Sequence, residues 1–113
     1  MADDSTDAAF CADQARRFDH DRWLATLFAP EPARRGMLAL LAFNQELART
    51  REQVSEAMLG EIRLQWWRET INGLFDGKRR LQPVAQELGL AVARHGLVRA
   101  PFDRLIDARA QDL

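Results

Sequence analysis

The chain has 113 residues with 16 basic and 17 acidic side chains, giving a formal net charge of −1 and a pI near 6.1. That length holds one domain, and a balanced charge excludes a general nucleic-acid binder, which carries a basic excess. Cys11 is the only cysteine, so neither an internal disulfide nor a thiolate zinc site can form within the chain.

Strand signals are weak. Tyrosine is absent, Val and Ile are scarce beside Ala, Leu, Arg and Glu, and no stretch alternates apolar and polar residues for long. The expected fold class is all-α, an antiparallel helical array with short links. Ser5 or Thr6 can cap a first helix whose apolar face is Phe10, Cys11, Ala15 and Phe18. The stripe breaks around Asp19-His20-Asp21, and a short segment, Trp23 to Phe28, follows. Pro30-Glu31-Pro32 opens a longer helix, because proline is tolerated in a first turn and not beyond it. Met37, Leu40, Leu41, Asn44, Leu47 and Ala48 are expected along one side of it.

A break near Gln53-Val54-Ser55 leaves Ser55 as the expected cap of the next helix, with Glu56 well placed against the dipole. This helix carries Leu59, Ile62 and Trp66 on one face and Leu64, Trp67, Ile71 and Leu74 on another, so packing on two sides is expected. Asp76-Gly77 ends it. Pro83 starts a helix with Val84, Leu88, Ala91 and Val92 inward, stopped at Gly96. Pro101 starts the last, with Phe102, Leu105 and Ile106 inward, and this helix runs into the carboxyl terminus with no stop signal. The array reads as cut off rather than finished, with core surface left uncovered.

Chemistry-bearing patterns are sparse. His95, just before Gly96, suits a helix C-terminus, and His20 lies between two aspartates with no Ser or Cys partner implied by spacing. No phosphate-binding glycine loop occurs. Asp103 and Asp107 have the i, i+4 spacing that lets two acids share a divalent ion, but charged helix faces produce such pairs constantly. Trp66 and Trp67 diverge by about 100° on a helix, so one is expected in the core and the other against a neighbouring helix or cavity wall. The acidic amino terminus resembles neither a secretory signal nor a mitochondrial transit peptide. The longest mostly apolar run, Gly36 to Phe43, is well short of the roughly 20 residues that span a bilayer. The expectation is a soluble protein of the bacterial cytosol, with any membrane contact peripheral.

Beyond about residue 20 several blocks follow in order: Asp21-Arg22-Trp23-Leu24, Arg34-Arg35, Phe43-Asn44-Gln45-Glu46-Leu47-Ala48, Val54-Ser55-Glu56, Arg63-Leu64-Gln65-Trp66-Trp67-Arg68, Gln82-Pro83-Val84-Ala85 and Leu105-Ile106-Asp107. Together they resemble the amino-terminal half of the squalene/phytoene synthase family. The resemblance implies the front part of an all-α isoprenoid-synthase bundle built around a cavity. Residues 1–20 would be a lead-in helix with its first few residues disordered. Residues 21–113 would be the amino-terminal part of the synthase-like domain, its carboxyl-terminal half absent.

Catalytic members of that family join two prenyl diphosphates, held through magnesium ions on two aspartate-rich motifs. Magnesium takes hard oxygen ligands and offsets charge on the departing diphosphate. The first motif's acids would fall at Ala48, Arg49 and Glu52, of which only Glu52 is a carboxylate, and the second motif would fall beyond Leu113. Asp21 stands where catalytic relatives carry a serine associated with diphosphate contact. Phe43, Asn44, Leu47, Trp66 and Trp67 are the candidate cavity walls.

The blocks are most similar to the subgroup of the phytoene-synthase-like respiratory complex I assembly factor, regarded as having kept the fold and lost the metal chemistry. The expected function is therefore a degenerate synthase-like protein with no catalytic residue, no bound metal and no cofactor. It would bind a respiratory-complex or other membrane-peripheral protein, or a prenyl-type apolar ligand. The alternative is an active head-to-head prenyltransferase for squalene, hopanoid or carotenoid precursors, with Mg2+ as its cofactor.

Overall fold

A computed structural model describes the backbone of residues 4–53 and 56–113, and the side chains of residues 6–50 and 56–113. Among the described residues there are six helices and no strand: α1 (Asp4–Phe18), α2 (His20–Thr26), α3 (Glu31–Gln53), α4 (Ala57–Phe75), α5 (Pro83–His95) and α6 (Ala100–Ala110). The all-helical fold class is as expected. α1, α3 and α5 pack against one another in pairs, α2 folds back on α1 and α3, and α4 and α6 form a second layer against α3. The radius of gyration is 13.7 Å, close to the ~13 Å of a packed domain of about 100 residues.

Proline and glycine set most of the boundaries. Pro32 sits in the first turn of α3, where the amides of Ala33 and Arg34 already bond to the Pro30 carbonyl. Pro83 opens α5, and the Gln82 side chain caps that helix by accepting from the Ala85 amide at 2.7 Å. Gly77 and Gly96 lie at positive φ, +77° and +62°, the former two residues beyond the end of α4 and the latter directly after α5. No L-residue with a Cβ takes that conformation without strain.

Several facial assignments differ from the sequence reading. α1 begins at Asp4, so Ser5 and Thr6 are inside the helix rather than at its cap. On that helix Cys11 and Ala15 are buried, while Phe10 and Phe18 stay substantially exposed. α3 buries Ala39, Ala42, Phe43, Leu47 and Thr50; of the expected Met37-Leu40-Leu41-Asn44-Leu47-Ala48 side Leu47 is buried and the other five residues are only half-buried, so the buried face is rotated from the expected one. The rotation follows from the neighbours: α3 is gripped on one side by α1 and α5 and on another by α4 and α6. On α4 the Leu64-Trp67-Ile71-Leu74 face is buried; of the other expected face Trp66 packs against the core while half-buried, and Leu59 and Ile62 are exposed together with Met58. Leu105 of α6 also faces outward more than expected, whereas Phe102 and Ile106 are fully inward. α4 starts at Ala57 after an extended Glu56; the expected cap Ser55 and the expected disorder of the first few residues lie outside the described residues.

The core is knit by aromatic edges. Phe43 meets Trp67 at 5.2 Å and Phe102 at 5.7 Å between ring centres, both edge to face, and Phe102 reaches Phe75 at 6.1 Å. This geometry contributes beyond area burial and ties α3, α4 and α6 into one unit.

Candidate functional site

The face of α3 that would carry an acidic motif is built differently here. Ala48 offers no ligand atom. Arg49 leans toward α1: its Nη1 donates to Gln14 Oε1 at 3.2 Å and its guanidinium lies 5.2 Å over the Phe18 ring. One turn earlier, Gln45 Nε2 donates to the Phe18 carbonyl at 3.2 Å, satisfying an acceptor that α1 leaves open at its end. Gln45 thus meets a backbone carbonyl at the end of α1, where the helix dipole is negative, and the Arg49 guanidinium lies beside that end over the Phe18 ring. An aspartate at position 49 would face that negative end. The side chain of Glu52 lies outside the described residues.

A magnesium site therefore does not fit the residues described at 48 and 49: one is alanine and the other a cation already engaged. Among the described residues no group of three or more His, Cys, Asp or Glu side chains is arranged to hold a metal ion. Asp107 forms a 2.5 Å ion pair with Arg68 that links α6 to α4. His95 ends α5 against Gly36 of α3, where an added Cβ would stand 3.2 Å from the imidazole Cδ2. His20 touches the Arg16 carbonyl and lies 5.3 Å from Trp23.

The proposed wall residues separate into two environments. Phe43 and Leu47 are wholly within the core, and Asn44 is half-buried. Trp66 and Trp67 meet edge to face at 4.8 Å; Trp67 is buried while Trp66 is half-buried, with the Arg80 guanidinium 4.7 Å over its ring. The two tryptophans border a recess of about 190 Å3 together with Glu46, Thr50, Arg63 and Gln82. That is below the roughly 300–1,000 Å3 of ligand pockets. Asp21 is exposed on α2.

Two polar devices were not foreseen. Arg35 and Glu87 form a two-pronged ion pair at 2.7 and 2.8 Å, with Glu87 almost fully buried between α3 and α5. Arg34 donates to the carbonyls of Thr26, Leu27 and Ala29, closing the end of α2. The Arg34-Arg35 doublet was visible in the sequence; a partner 52 residues away was not. Cys11, next to this pair, is buried, and burial foremost, with Glu87, Asp7 and Glu46 adding and Arg35 opposing, raises its pKa from 9.0 to about 12. It is no nucleophile at neutral pH.

Six helices, no strand among the described residues and a prenyl-synthase block order define a class: an isoprenoid-synthase-type helical protein. The chain belongs to the squalene/phytoene synthase family, whose sequence profile matches residues 15–113. It is similar to complex I assembly factor 6 of Rattus norvegicus, 38% identical over 92% of this chain, and of Homo sapiens, 36% identical over 92% of it. The homologue of that factor in Drosophila melanogaster is 33% identical over 90% of the chain. The chain spans 31% of the length of the rat and human proteins and 32% of the fly protein. No solved structure matches it. These relatives correct the expectation of a bacterial cytosolic protein, because each is a complex I assembly factor of a eukaryote. No helix among the described residues is long and apolar enough to cross a membrane.

Proposed function

We propose that this synthase-fold chain acts by binding, within the assembly of respiratory complex I, and does not turn over prenyl diphosphates. The observation that carries the reading is Arg49. The position where a catalytic relative would carry a metal-binding acid is occupied by a cation that docks α1 through Gln14 and Phe18. The names borne by the relatives support the assembly role. The partner is a respiratory-complex protein or another protein peripheral to the membrane, and the half-buried Trp66 is the wall residue best placed to meet a partner or a prenyl-type apolar ligand.

Calorimetric titration with magnesium and farnesyl diphosphate is expected to give no metal-dependent heat; tight binding that needs the metal would overturn the reading. Deleting the gene in its native cell is expected to lower assembled complex I while leaving prenyl-derived lipids unchanged. The reverse pattern would restore the synthase.

A further inference from the structure

On the side of the array that α4 and α6 do not reach, α1, the first turns of α3 and the end of α5 enclose a groove of about 640 Å3. This lies within the roughly 300–1,000 Å3 of small-molecule pockets. Its α1 wall includes Ala9 and Ala12, whose small side chains leave the space open, and Leu38 adds apolar surface from α3. Charge comes from Glu31, Arg34, Arg35 and Arg94.

These charges are not equivalent. Arg35 is neutralised by Glu87. Arg34 is fixed by carbonyl oxygens, which orient its guanidinium without cancelling its charge. Arg94, exposed in the last turn of α5, has no ion pair among the described residues. Among the described residues Glu31 is the one acid lining the groove. With Arg35 cancelled, two cations face one acid, and a single positive charge is left over.

We propose that this groove binds a small soluble organic anion, a phosphate or carboxylate monoester-sized molecule with an apolar body. Arg94 and the remaining donors of Arg34 take the anion, since a guanidinium presents a planar fork matched to such groups. Ala9, Ala12 and Leu38 take the body. The modest charge excess and the acid at the rim select against a bare multivalent ion and for a ligand that also buries apolar surface. The site uses no residue on which the assembly reading depends, so either can fail without the other.

The test is a titration of the 113-residue chain with phenyl phosphate at low salt, followed by amide shifts of Ala9, Ala12, Leu38 and Arg94. Saturable shifts confined to the groove are expected, with inorganic phosphate binding several-fold more weakly. Arg94→Glu is expected to weaken phenyl phosphate about tenfold through loss of a charge-assisted contact. Ala9→Trp, on an exposed position, is expected to block the groove without altering the fold. Equal binding by wild type and both variants would overturn the proposal. So would equal affinity for phenyl phosphate and inorganic phosphate, or binding only to vesicles containing phosphatidic acid.

Discussion

Arg35 and Glu87 show how a single pair can hold two helices in register. Glu87 is 2% exposed and its carboxylate has both oxygens bonded by the guanidinium. Arg35→Met leaves that carboxylate buried and unpaired, and breaking such a pair costs about 3 kcal/mol, less than the deepest cases because Arg35 itself is a third exposed. Urea unfolding is expected to show the loss, and adding Glu87→Leu to the same chain is expected to recover most of it. Arg49→Asp tests the neighbouring device. It removes a charged hydrogen bond and sets an acid at the negative end of α1, so a loss of about 2 kcal/mol is expected with no gain in magnesium affinity by calorimetry. Cys11 gives a pH signature. Its folded pKa, about 12, is raised above the ordinary 9.0, so above pH 9 the unfolded chain releases a proton that the folded chain keeps. The contribution is therefore complete below pH 9 and declines as pH rises from there toward 12. Cys11→Ala is expected to flatten the alkaline arm of the stability curve, and the native thiol to resist alkylation at pH 8.

At the level of helices, the stops are the most legible part. Asp76-Gly77 and His95-Gly96 announce left-handed ends, and both glycines sit at positive φ. An added Cβ at Gly96 meets nothing within 4 Å, so Gly96→Ala is expected to cost about 1 kcal/mol from backbone strain alone, visible as a lower thermal midpoint. Starts marked by proline were equally readable at Pro32, Pro83 and Pro101. Faces were less so. Periodicity shows that α3 has apolar residues on more than half its girth, and it cannot say which neighbours arrive; with α1 and α5 packed on it as well as α4 and α6, Ala39, Ala42 and Thr50 join the buried set. Phe18 was expected in the core because it is apolar, yet it lies half-exposed beneath two guanidinium groups, those of Arg49 and Arg17. For the candidate site, the sequence supplies alanine and arginine at 48 and 49, where the family resemblance implies acids. What Arg49 does instead depends on Gln14, 35 residues away, and local spacing carries no information on such a pairing.

For the molecule as a whole, the decisive feature is an apolar surface on α4 that none of the described residues covers. Met58, Leu59 and Ile62 are 69%, 46% and 59% exposed, and they fall within little more than one turn, so they form one patch rather than scattered side chains. A contiguous apolar patch on a small domain drives association, because removing it from water is worth about 25 cal/mol per Å2. The 113-residue chain is therefore expected to self-associate at concentrations where a fully covered domain stays monomeric, in sedimentation velocity. Ile62→Glu places a charge in the middle of the patch and touches none of the buried core, so it is expected to shift the distribution to monomer while leaving the unfolding midpoint within about 0.5 kcal/mol equivalent, as for a surface change. If the wild-type chain sediments as a monomer throughout, the patch is too small to drive contact. If Ile62→Glu unfolds the chain, the side chain is part of the core after all, and the packing described for α4 is wrong on that face.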